Sequence, residues 1–269
     1  MTKITEPGIF KLSNEEYHRQ EALNKSGLVQ LSKSPAHFYE WYQAPEEEPT
    51  RAMVLGTAIH LALLEPEKYD RSIAIAPQVD KRTKAGRQQW ESFEKRAAGK
   101  IIINQDEASA IAGMKESVFN NRTAYDLLLE GVSEQSIFFK DPVHGFLCKV
   151  RPDWYTPDGW VVDVKTCLDA GYDGFSRAIA NFKYHWQALF YLDGLTAVNG
   201  KRHNKFIFIA AEKEPPYAVA VYEATKDMLH TARKQIEPLL EIYGECLKTD
   251  VWPGYKDELQ QIQLPRWAA

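Results

Sequence analysis

The stretch KVRPDWYTPDGWVVDVKTC, residues 149–167, decides how the rest of the chain is read. Two apolar, β-branched runs flank TPDG (156–159), so the stretch predicts two strands folded back as a tight hairpin. Side chains alternate along a strand, which puts Asp163 and Lys165 on one face. Counting back from the turn sets Asp153 opposite residue 162 or 163. Two carboxylates and an ammonium therefore converge within apolar strands, where charges are rare unless paired or bound to metal. Carboxylates this close repel unless a proton or cation intervenes. Oxygen donors of this kind suit Mg²⁺ or Mn²⁺. The plainer alternative is a buried Asp163–Lys165 ion pair with Asp153 exposed beside the turn, and the hairpin alone leaves both open.

The chain has 269 residues, room for one large domain or two small ones with a substantial core. We expect one domain spanning 1–269: a helical part to about 130, a sheet with helices over about 131–248, and a tail over 249–269. Hydrophobic content of 44% and charged content of 26% are ordinary for a soluble globular protein. No run is long and apolar enough to span a membrane. The N-terminus MTKITEPGIFKLSNEEYHRQ lacks a signal peptide's basic-then-apolar plan, so a cytoplasmic location is expected. The initiating Met fits a self-contained product. Cys148, Cys167 and Cys246 form no CxxC pair, which argues for reduced structural thiols and against a disulfide framework, zinc or iron–sulfur site. A net charge of −4 excludes a uniformly basic surface but leaves room for a local basic groove.

Before the acidic loop APEEEPTR (44–51), SGLVQLSKSPAHFYEWYQ predicts a short helix, a break at Pro35 and an aromatic helix. RAMVLGTAIHLALLEP predicts a helix closed by Pro66, and helical periodicity resumes after the basic loop DKRTKAGRQQW (80–90) until about residue 130. SEQSIFFKD, GFLCKVRPDWY and GWVVDVKTC then predict three consecutive strands. GFSRAIANFKYHWQALFYLDGLTAVNG predicts one long amphipathic helix, KFIFIAAE and YAVAVYEA two further strands, and Thr225 to about Lys248 a charged helix. This order predicts an α/β domain with a central mixed sheet flanked by helices.

Three further elements bear on the hairpin. GTAIH sets Gly56 and His60 on one helical face; the glycine would let the helix approach a neighbour, and His60 offers either a metal ligand or a hydrogen-bonded core imidazole. QALFY sets Gln187 and Tyr191 on one face, with Lys183 a turn earlier, opposite Ile179, Phe182, Trp186 and Phe190. That polar face suits positioning of a phosphate or water, or simple solvation. Glu134 opens the first predicted strand as an outer carboxylate.

A carboxylate, a turn and then [D/E]-x-K in a β-branched strand is the signature of the PD-(D/E)xK phosphodiesterases, with RPD and DVK as its halves. The ordered set GTAIH…E…RPD…DVK…QALFY resembles the RecE-type exonucleases (exonuclease VIII) and, more distantly, the lambda exonuclease and RecB nuclease domains. The likeness runs from LSNEEYH through WPGY to LPRW, with LNKSGLVQLSKSPAHF as an opening segment and DKRTKAGRQQW as a basic loop. It implies a restriction-endonuclease-like core. Lambda-type and many restriction enzymes place glutamate at the D-x-K carboxylate or the GxxxH position; Asp163 and His60 agree instead with the RecE and RecB branches.

The resemblance implies that His60, Asp153, Asp163 and the Val164 carbonyl bind metal. It implies that Lys165 orients or activates the attacking water, and that Gln187, with Tyr191 behind it, places the nucleophile or scissile phosphate. Lys25 and Ser26 fall where related enzymes hold a terminal 5′ phosphate. Two Mg²⁺ ions, replaceable by Mn²⁺, would clamp the attacking and leaving oxygens, with a metal lowering the pKa of Lys165. Digestion of duplex DNA from its 5′ end, 3′ overhangs for a RecT-like annealing protein, and a ring-shaped homo-oligomer, a tetramer by preference, complete the expectation. Lys81, Arg82, Lys84 and Arg87 crowd one loop that either contacts phosphates or is simply solvated. The competing functions are an endonuclease of the same core, which would cut closed circles, and a non-catalytic DNA-binding module. Presence of His60, Asp153, Asp163 and Lys165 together argues against the latter.

Overall fold

The computed structural model of this chain describes residues 3–45 and 48–264, so the part of LPRW beyond Leu264 lies outside the described residues. The first half runs β1 (Gly8–Phe10), α1 (Asn14–His18), α2 (Lys25–Leu31), α3 (Pro35–Gln43), α4 (Arg51–Leu64) and α5 (Pro66–Ser72). It continues with β2 (Ile73–Ile75), α6 (Lys84–Ala97), β3 (Ile101–Ile103), α7 (Gln105–Asn120) and α8 (Arg122–Leu128). The second half holds β4 (Val132–Ser133), β5 (Ser136–Lys140), β6 (Leu147–Val150), β7 (Trp154–Tyr155) and β8 (Val161–Cys167). Then come α9 (Tyr172–Asn181), α10 (Tyr184–Asn199), β9 (Phe206–Glu212), β10 (Val219–Glu223) and α11 (Lys226–Thr249).

Local chemistry sets these boundaries. Ser34 caps α3 by accepting from the His37 N–H, and Pro35 occupies the first turn, where a missing N–H costs nothing. Pro66 likewise opens α5 after α4 ends at Leu64. Asn104 and Glu107 form a reciprocal capping box at the start of α7.

The main sheet has the order β10-β9-β8-β7-β4 and is mixed: β8 and β9 run parallel, and the other neighbours antiparallel. A second, antiparallel sheet has the order β1-β5-β6, and β2 and β3 pair in parallel with α6 as their crossover. The α/β, restriction-endonuclease-like expectation holds, with three corrections. GFLCKVRPDWY is not one strand: β6 lies in the second sheet and β7 in the main one. Pro152 falls at the switch, where a residue without an N–H cannot serve a continuous ladder. The chain makes a matching switch between β4 and β5, at Glu134, whose φ is 52°.

The long helix is also two, because Lys183 adopts the left-handed conformation (φ 55°, ψ 41°) between α9 and α10. The third correction adds β1, β2 and β3, three residues each and too short to show a period in the sequence.

Both faces of β8 and β9 are covered, which explains their nearly unbroken apolar runs. On one side Val161, Phe206 and Phe208 pack with Trp186 and Phe190 of α10. On the other, Val162, Val164, Ile207 and Ile209 pack with Ile59 of α4 and Ile111 and Val118 of α7. Full burial of each such side chain contributes roughly 1.5–3 kcal/mol. Cys148 and Cys246 are buried, Cys167 is half-buried, and all three are free thiols. Among the described residues no helix is long and apolar enough to cross a membrane.

Candidate active site

The β7–β8 register pairs Trp154 with Val162, which carries Asp153 to the position opposite Asp163. Asp153 Oδ2 accepts the Val164 N–H at 2.9 Å, so the hairpin backbone fixes that carboxylate. Asp163 is fully buried. Its Oδ1 accepts from Gln187 Nε2 at 2.6 Å. Its Oδ2 faces the Lys165 ammonium at 2.5 Å yet accepts no properly aligned hydrogen bond.

His60 reaches this point from the third turn of α4. Its Nε2 lies 2.8 Å from the Val164 carbonyl oxygen and 3.7 Å from Asp153 Oδ2. Ligand atoms of His60, Glu134 and Asp153 all lie within 4.8 Å of one another. Asp163 turns its two oxygens to Gln187 and Lys165 instead. Glu134, expected only as an outer carboxylate, thus stands with the imidazole. Arg151 holds it: Nε donates to Glu134 Oε2 at 2.6 Å, and the guanidinium also donates to Ser136 Oγ and the Leu12 carbonyl.

An imidazole nitrogen, clustered carboxylates, a backbone carbonyl and a buried carboxylate oxygen without a hydrogen bond form a donor set that fits a hard divalent cation. Electrostatics agree. Burial, with Asp163 adding to it against the opposing pull of His60, raises Asp153 to about 7. Two buried carboxylates therefore share a deficit of positive charge that one lysine only partly relieves. Burial pulls Lys165 down, but Asp163 and Asp153 more than offset it, and its pKa stands above the ordinary lysine value. In the cation-free site Lys165 is an ammonium.

The remaining expected residues fall as follows. Gln187 is buried, and its amide is engaged by Asp163. Tyr191 is half-buried one turn later, its ring 6.2 Å from Phe206, and burial raises its phenol well above the usual range. The Gln–Tyr face is therefore not solvated, and Lys183 stands outside α10 as its N-cap. Lys25, half-buried at the start of α2, donates to the Phe182 carbonyl at 2.7 Å. Burial and the Lys165 charge push it down to about 8. Ser26 beside it is exposed.

Gly56 corrects its expectation: a Cβ there would meet nothing within 4 Å, so it serves no close helix contact. Lys81, Arg82, Lys84 and Arg87 are exposed, but Lys84 and Arg87 belong to α6 rather than to a loop. Thr83 caps that helix, and Lys81 Nζ sits 3.0 Å from the Trp90 ring centroid. These four lie on the β2–α6–β3 excursion, away from the hairpin in sequence.

Two residues of the site escape the sequence reading. Arg151 lies two positions before Asp153, next to the Pro152 switch between the two sheets, so no strand period points to it. Tyr184 has its ring centroid 4.9 Å from Lys165 Nζ.

A mixed sheet with Asp163 and Lys165 on β8 and Asp153 just before the adjoining β7, with His60 from a preceding helix, defines a PD-(D/E)xK-type domain. The chain belongs to the family described as "PDDEXK-like domain of unknown function (DUF3799)", whose model matches residues 24–265. Among solved structures it is similar to the "Putative exonuclease" from Eubacterium rectale, with a TM-score of 0.59, 14% identity and 88% of each chain covered. At that identity the likeness shows the fold alone. SSO0001 aligns over 72% of this chain and 87% of its own at 15% identity, but its TM-score of 0.31 carries no argument. No curated protein matches.

Proposed function

We propose that this chain is a divalent-metal-dependent deoxyribonuclease that degrades the 5′-ended strand of linear duplex DNA and leaves 3′ overhangs. One observation carries the hydrolytic part: His60 Nε2, the Val164 carbonyl, Asp153 and Glu134 meet at the edge of a buried Asp163–Lys165 pair. Mg²⁺ or Mn²⁺ held by His60, Asp153, Asp163 and the Val164 carbonyl would polarise the phosphate and acidify a bound water.

The chain's own groups do the rest. Gln187 holds Asp163 in orientation, and Lys165 supplies positive charge where the phosphorus centre gains negative charge. Lys25 and Ser26 meet the terminal phosphate, and Lys81, Arg82, Lys84 and Arg87 track the duplex backbone. The 5′ polarity, a RecT-like annealing partner and a ring-shaped tetramer rest on the resemblance to RecE-type exonucleases. The name borne by the Eubacterium rectale structure is in keeping with this.

The test uses linear duplexes labelled at either end and closed circular DNA, each with and without Mg²⁺. Mononucleotides released only from 5′ ends, only with Mg²⁺ and never from circles are expected. Cutting of circles would make the protein an endonuclease, and metal-independent binding without cleavage would make it a DNA-binding module.

A further inference from the structure

We propose that Phe182 is a stacking platform for the unpaired terminal base of the strand entering the site; the proposal rests on the nuclease function above and names a substrate contact within it. Helix α9 ends where Lys183 turns left-handed, a conformation that L-residues with a side chain avoid. Backbone strain of this kind persists where the surroundings enforce it, and it gathers at functional sites. Here it accompanies an outward-facing Phe182, 59% exposed.

A lone exposed phenylalanine means little, but this one is the outer member of a stack. Its ring lies on Tyr184 at 5.5 Å and 27°. Tyr184 in turn is braced by Phe175 and Phe208, each with its centroid 6.4 Å away. The platform therefore rests on the core.

Two ammonium groups border the stack. Lys165 Nζ lies 4.9 Å and Lys25 Nζ 5.8 Å from the Tyr184 centroid. Lys25 also holds the Phe182 carbonyl, which ties the platform to the start of α2. An open aromatic face beside cations is the chemistry that recognises single-stranded nucleic acid: the ring takes a base, and the cations take the backbone.

The full chain is loaded with Ca²⁺ in place of Mg²⁺ to hold DNA uncut, and affinity is read by fluorescence anisotropy. The ligands are 5′-phosphorylated duplexes whose terminal 5′ nucleotide either carries its base or is abasic. Wild type should bind the base-bearing end about tenfold more tightly, the scale of one base stacked on an aromatic ring. Phe182→Trp should keep that preference, whereas Phe182→Ala and Phe182→Leu should lose it, with the melting temperature unchanged at this surface position. Equal affinity of wild type for both ends, or a preference surviving in Phe182→Ala, overturns the platform while Mg²⁺-dependent cleavage by wild type leaves the nuclease function standing. Neither binding nor cleavage of any end by wild type sinks both.

Discussion

His60 Nε2 on α4 and the carbonyl oxygen of Val164 on β8 meet at 2.8 Å across 104 residues of sequence. A hydrogen bond alone would explain that distance, but Asp153 and Glu134 also present oxygens to the same imidazole. His60→Ala should therefore weaken Mn²⁺ binding, measured by titration calorimetry, by at least about tenfold, in line with what altering even outer groups of a metal site costs. Its side chain is one quarter exposed, so the fold should survive. Unchanged Mn²⁺ affinity would reduce His60 to a hydrogen-bonded packing residue.

Asp153 gives the site a pH dependence. Its folded pKa of about 7 lies above the ordinary 3.8, chiefly through burial. Between those values the native state binds more protons than the unfolded chain, so cation-free stability falls as pH rises through that window. Cation binding runs the other way: a proton competes below about pH 7, and Mn²⁺ affinity should climb towards pH 7 and level off above it. Calorimetry in buffers of different ionisation enthalpy should show close to one proton released per site below that pH. Asp153→Asn should abolish that release, and a pH-independent affinity in wild type would refute the assignment.

Lys165 stabilises as well as serves. Without it, the buried Asp163 carboxylate, facing Asp153, loses the ammonium that stands 2.5 Å away. Lys165→Met should cost about 3–5 kcal/mol at neutral pH, the range for breaking one side of a buried pair. Saturating Mg²⁺ should restore much of this, because only the folded state binds it. Urea denaturation of the variant with and without Mg²⁺ measures both effects. A stable, metal-indifferent variant would show that the Lys165 ammonium does not hold this pair together.

The four cations on the α6 excursion predict a salt effect. Replacing Lys81, Arg82, Lys84 and Arg87 with Gln should flatten the plot of log affinity against log salt by about 0.9 for each phosphate that the protein no longer neutralises. An unchanged slope would remove this face from DNA binding and leave Lys81 as a partner of Trp90 alone.

How much of the site is legible in the sequence follows from the range of each interaction. TPDG and the two-residue period of D-x-K are local, and they suffice to place Asp153 across from Asp163 and Lys165 beside it. Pro152 is local too, but the apolar run around it conceals a strand changing sheets. The break at Lys183 has no such signal: Asn181, Phe182 and Lys183 contain neither Gly nor Pro. What accompanies it is a tertiary contact, Lys25 holding the Phe182 carbonyl across 157 residues. Glu134 is hard to weigh from sequence for the same reason, since its place beside His60 depends on Arg151 and on two strand switches lying side by side.

Lys25 supplies a last, separable test. Burial first, and then the Lys165 charge, lowers it to about 8 from an ordinary 10.5. Between those values the unfolded chain binds more protons, so its contribution to stability rises with pH across that window. Its contribution to DNA binding must do the opposite: below about pH 8 it is an ammonium that can meet a phosphate, and above that it is neutral. Affinity for 5′-phosphorylated ends should therefore drop as pH passes that value, while affinity for 5′-hydroxyl ends stays nearly level. Lys25→Met should bind both ends equally and lose the step, but Lys25→Arg, charged throughout, should keep the 5′-phosphate preference at about pH 9. Were the step to persist in Lys25→Met, some other group would be titrating, and the start of α2 would have no part in reading the 5′ end.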